Sequence, residues 1–91
     1  MKTKIIDKII IANPNDNVGT ARAEIAADTA FEGDITAKEN IPFGHKMALK
    51  HITNGEAVIK YGQLIGTATK DIAPGELVHI HNVAGERGKG R

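Results

Sequence analysis

Hydrophobic residues in this chain occur in short clusters that are separated by Gly, Pro, Asn and Asp. From residue 35 onward each cluster has the length of a short strand, and no long helical stripe interrupts the series. The strands predicted in this part are 35–37, 47–49, 57–61, 64–69 and 77–83. The pattern therefore predicts a mainly β domain that is built from short strands and tight turns.

One short phrase, an Ile followed three residues later by Gly, occurs three times. Its copies run from Ile41 to Gly44, from Ile52 to Gly55 and from Ile72 to Gly75. Gly adopts a positive φ without steric cost, as many tight turns require, and the Ile can anchor the turn in the core. Repeated turns of this kind predict a chain that wraps into a rigid frame on which polar side chains can be held.

The first 26 residues predict one strand and one short helix. The β-branched cluster at 5–11 indicates an opening strand, which ends at the Asn-Pro-Asn sequence of 13–15. Asp16 can cap a helix that continues to Ala26. The apolar stripe of this helix would consist of Val18, Ala21 and Ile25. The free N–H groups at such a helix end can also bind an anion, so Asp16 and Asn17 have two interpretations at this point.

Length and composition limit the classes of function. A chain of 91 residues makes one domain, which we assign to residues 1–84. The Gly-rich residues 85–91 lack apolar anchors and are expected to form a flexible tail or a linker. Because the N-terminal segment has no long apolar stretch, we expect neither a signal peptide nor a membrane span.

Charge and aromatic content argue against a nucleic-acid partner. Twelve basic and eleven acidic side chains give a net charge of +1, and the basic residues are not grouped into a footprint for phosphates. Two Phe and one Tyr are too few for a platform that stacks bases. The chain has no cysteine, which fits the cytoplasm and leaves only N and O ligands for any metal.

The densest cluster of potential chemistry is the sequence His-Ile-His-Asn at 79–82. On a strand, His79 and His81 would project to the same face because side chains alternate. Two imidazoles at this spacing can bind a shared divalent cation, although a stable site needs further ligands. The alternative is the polar, solvent-facing side of an edge strand. Asn82 adds an amide donor and acceptor beside them.

Two further positions could contact a ligand. His45 and Lys46 follow a turn that contains Pro, and together they could bind a carboxylate or could merely decorate an exposed loop. Lys60 lies in a predicted strand opposite the face of its neighbours Ile59 and Tyr61. A lone lysine at such a position is usually solvated.

Five segments of the chain, taken together, resemble a known family. They are 16–18, 41–46, 58–62, 65–66 and 75–82, with the sequences DNV, IPFGHK, VIKYG, IG and GELVHIHN. In this order and spacing they resemble the N-terminal SAF domain of altronate and galactarate dehydratases, and the resemblance covers nearly the whole chain. It implies a β-clip fold, which agrees with the short strands and tight turns predicted above.

The resemblance also implies a function. Enzymes of this family remove water from a sugar acid to give a 2-keto-3-deoxy product, and they require a divalent metal, commonly iron(II). A base must take the proton next to the carboxylate, and the departing hydroxyl must be stabilised by an acid or a cation. By resemblance, the substrate-binding residues are expected to be His45, Lys46, Lys60 and Asn82, and the metal ligands His79 and His81.

The family's full-length members continue into a large catalytic region, whereas this sequence ends at Arg91. We therefore expect a small subunit or an N-terminal domain that is inactive without a large catalytic partner. The small subunit of sulfolactate sulfo-lyase carries similar motifs, and these residues do not separate the two substrates. The alternative of a different class is a β-clip module that binds a carbohydrate or a protein and takes no part in catalysis.

Overall fold

The computed structural model of the chain describes residues 2–85. It is mainly β, with short antiparallel strands and one short helix near the N-terminus, so the predicted fold class is confirmed. Along these residues the elements are α1 (Ile5–Lys8), β1 (Ile9–Ile10), β2 (Val18–Ala21), β3 (Ala30–Phe31), β4 (Ile35–Thr36), β5 (Lys46–Ala48), β6 (Ala57–Lys60), β7 (Gln63–Ala68), β8 (Leu77–Val78) and β9 (Val83–Gly85). Within this part of the chain, no helix is long and apolar enough to cross a membrane. The tail predicted at 85–91 lies outside the described residues except for Gly85, which ends β9.

The position predicted for the helix is wrong. Residues 16–26 contain β2 and no helix, whereas α1 occupies the first part of the segment that was predicted as the opening strand. The misleading signal came from Val18 and Ala21, which lie on opposite faces of β2 and are both buried. In a strand that is covered on both faces, apolar residues can fall at a helical spacing, so periodicity alone does not distinguish the two structures.

The Ile turns are confirmed, and the structure reveals that they belong to a longer unit that occurs four times. Each unit has a buried Ala, an Ile four residues later and a residue with positive φ three residues after that. The four units are Ala21-Ile25-Asp28, Ala37-Ile41-Gly44, Ala48-Ile52-Gly55 and Ala68-Ile72-Gly75. The first copy escaped the sequence pattern because Asp28, with φ of 71°, stands where the others have Gly.

The four units pair reciprocally through their backbones. In the first two units the N–H of Asp28 donates to the Ala37 carbonyl, and the N–H of Gly44 donates to the Ala21 carbonyl, both at 2.8 Å. The last two units repeat this exchange, from Gly55 to Ala68 and from Gly75 to Ala48, again at 2.8 Å. The Ile residues of each pair also bridge each other, Ile25 with Ile41 and Ile52 with Ile72. The fold therefore consists of two similar halves.

Each half has its own hydrophobic core, and the main sheet separates the two. This sheet has the order β1-β2-β5-β8, and all its neighbours are antiparallel. Met47 faces the first core with Phe31, whereas Ala48 faces the second core with Val58. Directly opposite residues of an antiparallel pair project to the same face. The sheet thus fixes which polar side chains share a surface with each core.

A second sheet, of order β6-β7-β9, packs on the second core. β6 and β7 are joined by a two-residue hairpin turn in which Tyr61 and Gly62 have φ of 58° and 70°. Two positive φ values are typical of the type I′ turn that suits the twist of a hairpin. The strands predicted at 57–61 and 64–69 therefore pair as a hairpin.

Candidate functional site

The sequence His-Ile-His-Asn at 79–82 forms a turn between β8 and β9, so the single strand predicted over 77–83 is wrong. Asn82 is completely buried, and its amide closes this turn. Its Oδ1 accepts the N–H of His79 at 2.9 Å, and its Nδ2 donates to the Leu77 carbonyl at 2.9 Å. An internal amide that bonds the backbone in this way stops the strand after Val78.

His79 does not share a strand face with His81. Its ring instead contacts the ring of His45. In the β5 and β8 pair, Lys46 lies opposite Val78, so the residues just beyond them, His45 and His79, are neighbours across the ladder. Their rings are stacked, with 5.3 Å between the centroids and 22° between the planes. The register of two strands thus creates an imidazole pair that is separated by 34 positions in the sequence.

Lys46 and His79 lie on the wall of an open cleft of about 250 Å³, which we call the histidine–lysine cleft. The other residues that line it are Ile65, Val78, Ile80, Val83 and Gly85. A lysine and a histidine in a mainly apolar lining suit a small anion, because an ammonium group can bind a carboxylate and an imidazole can exchange a proton. The cleft is open on one side, so this chain supplies only part of an enclosing site.

The structure does not bring Lys60 or His81 to the lining of this cleft. Lys60 is only 7% exposed, and its Nζ lies 3.5 Å from the centroid of the Tyr61 ring. The usual expectation that a lone lysine is solvated is therefore wrong for Lys60. His81 is exposed in the turn. That Lys60 and Asn82 contact a substrate stays a prediction, although both polar ends of the Asn82 amide are already bonded within its own turn.

Metal binding was tested on the donor side chains. Among residues 2–85 no three His, Asp or Glu side chains are grouped closely enough to hold an ion. His79 and His81 do not share a strand face, which was the arrangement proposed for a common cation. The described residues therefore do not form a complete metal site. Metal ligation by His79 and His81 stays a prediction.

Sequence analysis missed the structural role of Asp16 and Asn17. No helix begins there, so both the cap and the anion site lose their basis. Asp16 is buried; its Oδ1 accepts the N–H of Gly62 at 2.8 Å, and its Oδ2 accepts the N–H of Asn13 at 3.2 Å. Asn17 accepts the N–H of Ile59 at 2.8 Å through Oδ1. Both side chains thus tie the loop before β2 to the hairpin of β6 and β7, more than 40 positions away.

The Asp16 carboxylate is held in its charged form. Burial by itself raises its pKa, but backbone N–H groups that point at the carboxylate stabilise the anion, and the net pKa lies below the usual value. These N–H groups belong to Gly62, Tyr61, Asn13 and Ala12. A folded-state pKa below the unfolded-state pKa stabilises the fold above the unfolded-state pKa, and this stabilisation is lost as the pH falls through both values.

We expect Asp16→Asn to lower the free energy of unfolding at pH 7 and to remove part of the loss of stability on acidification. The gap between the variant and the natural chain should begin to close as the pH falls through the unfolded-state pKa of about 3.9, and it should close further as the pH passes the lower folded-state pKa of Asp16. Urea unfolding between pH 2 and 7, followed by circular dichroism, measures this. Asp34→Asn is the matched control, since Asp34 makes only an exposed ion pair with Lys2. Equal pH profiles for the two variants would contradict the assignment.

Comparison with known proteins adds a family and several relatives. The family model described as the altronate/galactarate dehydratase SAF domain matches residues 7–86. Altronate dehydratase of Escherichia coli (strain K12) is 46% identical over 70 residues, which are 74% of this chain and 14% of that enzyme. Galactarate dehydratase (L-threo-forming) of the same organism is 37% identical over 54 residues, 59% of this chain and 10% of that enzyme.

A third relative is itself a small chain. The (2R)-sulfolactate sulfo-lyase subunit alpha of Paracoccus pantotrophus is 47% identical over 53 residues, which are 58% of this chain and 79% of that subunit. The matched segment is therefore a minor part of the dehydratases and most of the sulfo-lyase subunit. A domain of this kind occurs both within a much longer chain and as a named subunit.

Proposed function

Since the chain belongs to the altronate/galactarate dehydratase SAF domain family, we propose that it is the small subunit or N-terminal domain of a sugar-acid hydro-lyase. This enzyme removes water from a sugar acid of the altronate or galactarate type and gives a 2-keto-3-deoxy acid. The chain contributes polar residues to an active site that a large catalytic subunit or region completes. It works in the cytoplasm and is inactive alone.

The observation that carries this proposal is the histidine–lysine cleft. Its lining includes Lys46 and His79, and the cleft is open to solvent. A sugar acid presents a carboxylate and several hydroxyl groups, so it needs a cation at one end and donors and acceptors along its length. An enclosing site must bury most of such a ligand, and this cleft does not do so by itself. The missing wall is assigned to the catalytic partner.

Within the proposed site the residues have distinct tasks. Lys46 neutralises the substrate carboxylate. His79 accepts or donates a proton at a hydroxyl or at the carbon next to the carboxylate, and the stacked His45 ring orients it. Asn82 keeps His79 in place through the turn, and Lys60 supports the hairpin beside Tyr61. A divalent cation, iron(II) by the family resemblance, is assigned chiefly to ligands of the partner.

The second candidate is the alpha subunit of a sulfolactate sulfo-lyase, which the match over most of that small subunit favours. Sulfolactate also carries a carboxylate beside the carbon that loses a proton, so the same cleft residues would serve the elimination of sulfite. The alternative of a different class, a β-clip module that binds a carbohydrate or a protein without catalysis, needs no partner.

The experiment is an elimination assay with altronate, galactarate and sulfolactate, in the presence of ferrous iron. The chain is tested alone, a dehydratase-like catalytic chain from the same genome is tested alone, and the two are tested together. We expect activity only in the mixture, and the substrate that reacts identifies the enzyme. If the mixture is inactive on all three while the chain binds a sugar tightly by itself, the non-catalytic module replaces this proposal.

A further inference from the structure

The N-terminal segment carries a hydrophobic surface that the fold does not use. Ile6, Ile10 and Ile11 are 69%, 52% and 45% exposed, and we call them the isoleucine patch. Ile6 and Ile11 line a groove of about 300 Å³ together with Ile5 and the buried Ile9. Contiguous exposed apolar residues on a small domain mark a surface for a partner, whereas isolated ones do not.

The patch is held rigidly against the main sheet. β1 pairs with β2, and Gly19 of β2 lies under residues 9–11. A Cβ at Gly19 would overlap the Ile9 side chain and would lie 3.2 Å from the Ile10 carbonyl oxygen. The absence of a side chain at Gly19 therefore lets the isoleucine segment lie close to the sheet. A rigid apolar surface loses little conformational entropy when a partner covers it.

The rim of the patch is basic. Lys4 caps α1, and Lys8 ends it. The Nη1 of Arg22 donates to the Ile6 carbonyl at 3.2 Å, and its backbone N–H donates to the Lys8 carbonyl at 2.8 Å, so the guanidinium lies beside the patch. Asp7 is the one acidic side chain within α1. A partner with an apolar centre and a rim of carboxylates would complement this surface.

Two other occupants of the patch are disfavoured, one by its charge and one by its composition. A second copy of this chain, related by a twofold axis, would place the same basic rim against itself, and like charges across an interface are costly. The segment 86–91 has the sequence Glu-Arg-Gly-Lys-Gly-Arg, which offers no apolar side chain for the groove. The patch is therefore expected to bind a different protein surface, neither a second copy of this chain nor the segment 86–91.

One residue of the patch, Ile10, faces the same side of the main sheet as Lys46 of the histidine–lysine cleft, whereas Ile11 lies with Ile9 on the opposite side. Ile10 is paired with Thr20, Thr20 with Lys46 and Lys46 with Val78, so these residues form one row across the sheet. Directly opposite side chains project to the same face. With neighbouring strands about 4.8 Å apart, Ile10 lies only about 10 Å from Lys46. A partner that covers the patch and also contacts Ile10 can therefore approach the cleft.

We propose that the isoleucine patch is the docking surface for the catalytic region, which presents an apolar centre with an acidic rim. This inference rests on the proposed function for the identity of the partner. In one relative a domain of this kind is a small part of a much longer chain, and in another it makes up most of a separate subunit. A docking surface near the site fits both arrangements.

The test measures binding of this chain to the separately expressed catalytic chain by isothermal titration calorimetry. Ile6→Ser should weaken binding at least about tenfold, since truncating an apolar residue at the centre of an interface commonly has an effect of this size. Leu64→Ser is the matched control, because Leu64 is also an exposed apolar residue but lies on β7, and its binding should stay within about twofold. Ile11→Ser provides a second variant. Lys8→Glu should weaken binding and reduce its dependence on salt.

Unchanged binding of both Ile6→Ser and Ile11→Ser would overturn the docking surface. So would sedimentation showing that the natural chain is a dimer that Ile6→Ser converts to a monomer, because the patch would then serve self-association. Thermal unfolding of each variant shows whether weaker binding reflects a lost contact or a lost fold. The binding assay needs no turnover, so tight binding that depends on the patch, without elimination activity, leaves the docking surface in place and rejects the proposed hydro-lyase.

Discussion

Replacing Gly75 by Ala is expected to destabilise the domain by about 3–5 kcal/mol, whereas the same change at Gly55 should cost only about 1 kcal/mol. Both residues end an Ile turn, and their φ values of 94° and 92° are nearly equal. The strain of an L-residue at positive φ is therefore shared by the two variants. Their difference isolates the steric environment of each turn.

That environment is very different at the two sites. A Cβ at Gly75 would overlap the Thr36 carbonyl oxygen and would lie 2.9 Å from the carbonyl carbon of the same residue. Both are backbone atoms of Thr36. The segment that follows Thr36 is also held to the turn, because the N–H of Lys38 donates to the Gly75 carbonyl at 2.9 Å. At Gly55 a Cβ would meet nothing within 4 Å. Overpacking against backbone forces the chain to move and commonly costs a few kcal/mol.

Urea denaturation of the two variants and the natural chain, followed by circular dichroism, measures the difference. A domain of this size has a total stability of about 5–10 kcal/mol, so Gly75→Ala should remove a large fraction of it and shift the urea midpoint strongly downward. Gly44→Ala provides a second open turn, since a Cβ there also meets nothing within 4 Å. Equal destabilisation at the three positions would show that φ alone decides the cost and that the loop at Thr36 gives way.

His79→Ala is expected to lower kcat/KM of the assembled enzyme by about 100-fold or more, because removing a general acid or base commonly costs two to four orders of magnitude. The side chain of His79 is exposed, so the melting temperature of the isolated chain should change little. Steady-state kinetics with the sugar acid that reacts in the mixture provide the measurement, and a thermal melt of the same preparation confirms the fold.

His81→Ala is the matched variant for this prediction. Both histidines belong to the turn at 79–82 and both are exposed, but only His79 lines the cleft and stacks on His45. We expect His81→Ala to retain activity within a few-fold of the natural enzyme. An equal large loss in both variants would instead support the shared metal site that the sequence suggested, and a loss of folding in His79→Ala would make that residue structural.

Local features of the fold could be predicted from the sequence because their causes are local. The Ile turns were identified because an Ile followed three residues later by Gly is enough to indicate a buried anchor and a turn at positive φ, and the structure shows both. The first of the four units was missed because Asp28 takes the left-handed conformation without Gly, which a residue pattern does not reveal.

The candidate site was predicted as a set of residues but not as an arrangement. His45, Lys46 and His79 were selected from the sequence, and the structure places them together. The pairing of His79 with His81 was the natural expectation from alternation along a strand. It failed because the buried amide of Asn82 ends that strand, and nothing in the spacing of the four residues shows where an Asn side chain will point.

The mainly β class, the turns and the family could be read from the sequence alone, since each follows from residue types at short spacing or from motifs in a fixed order. Which side chains meet depends on the tertiary structure. The register of β5 against β8 places His45 on His79, and the Asp16 carboxylate finds the N–H of Gly62 from 46 positions away. Such contacts depend on how two distant segments align, and many alignments are compatible with the same local pattern until the two cores are packed.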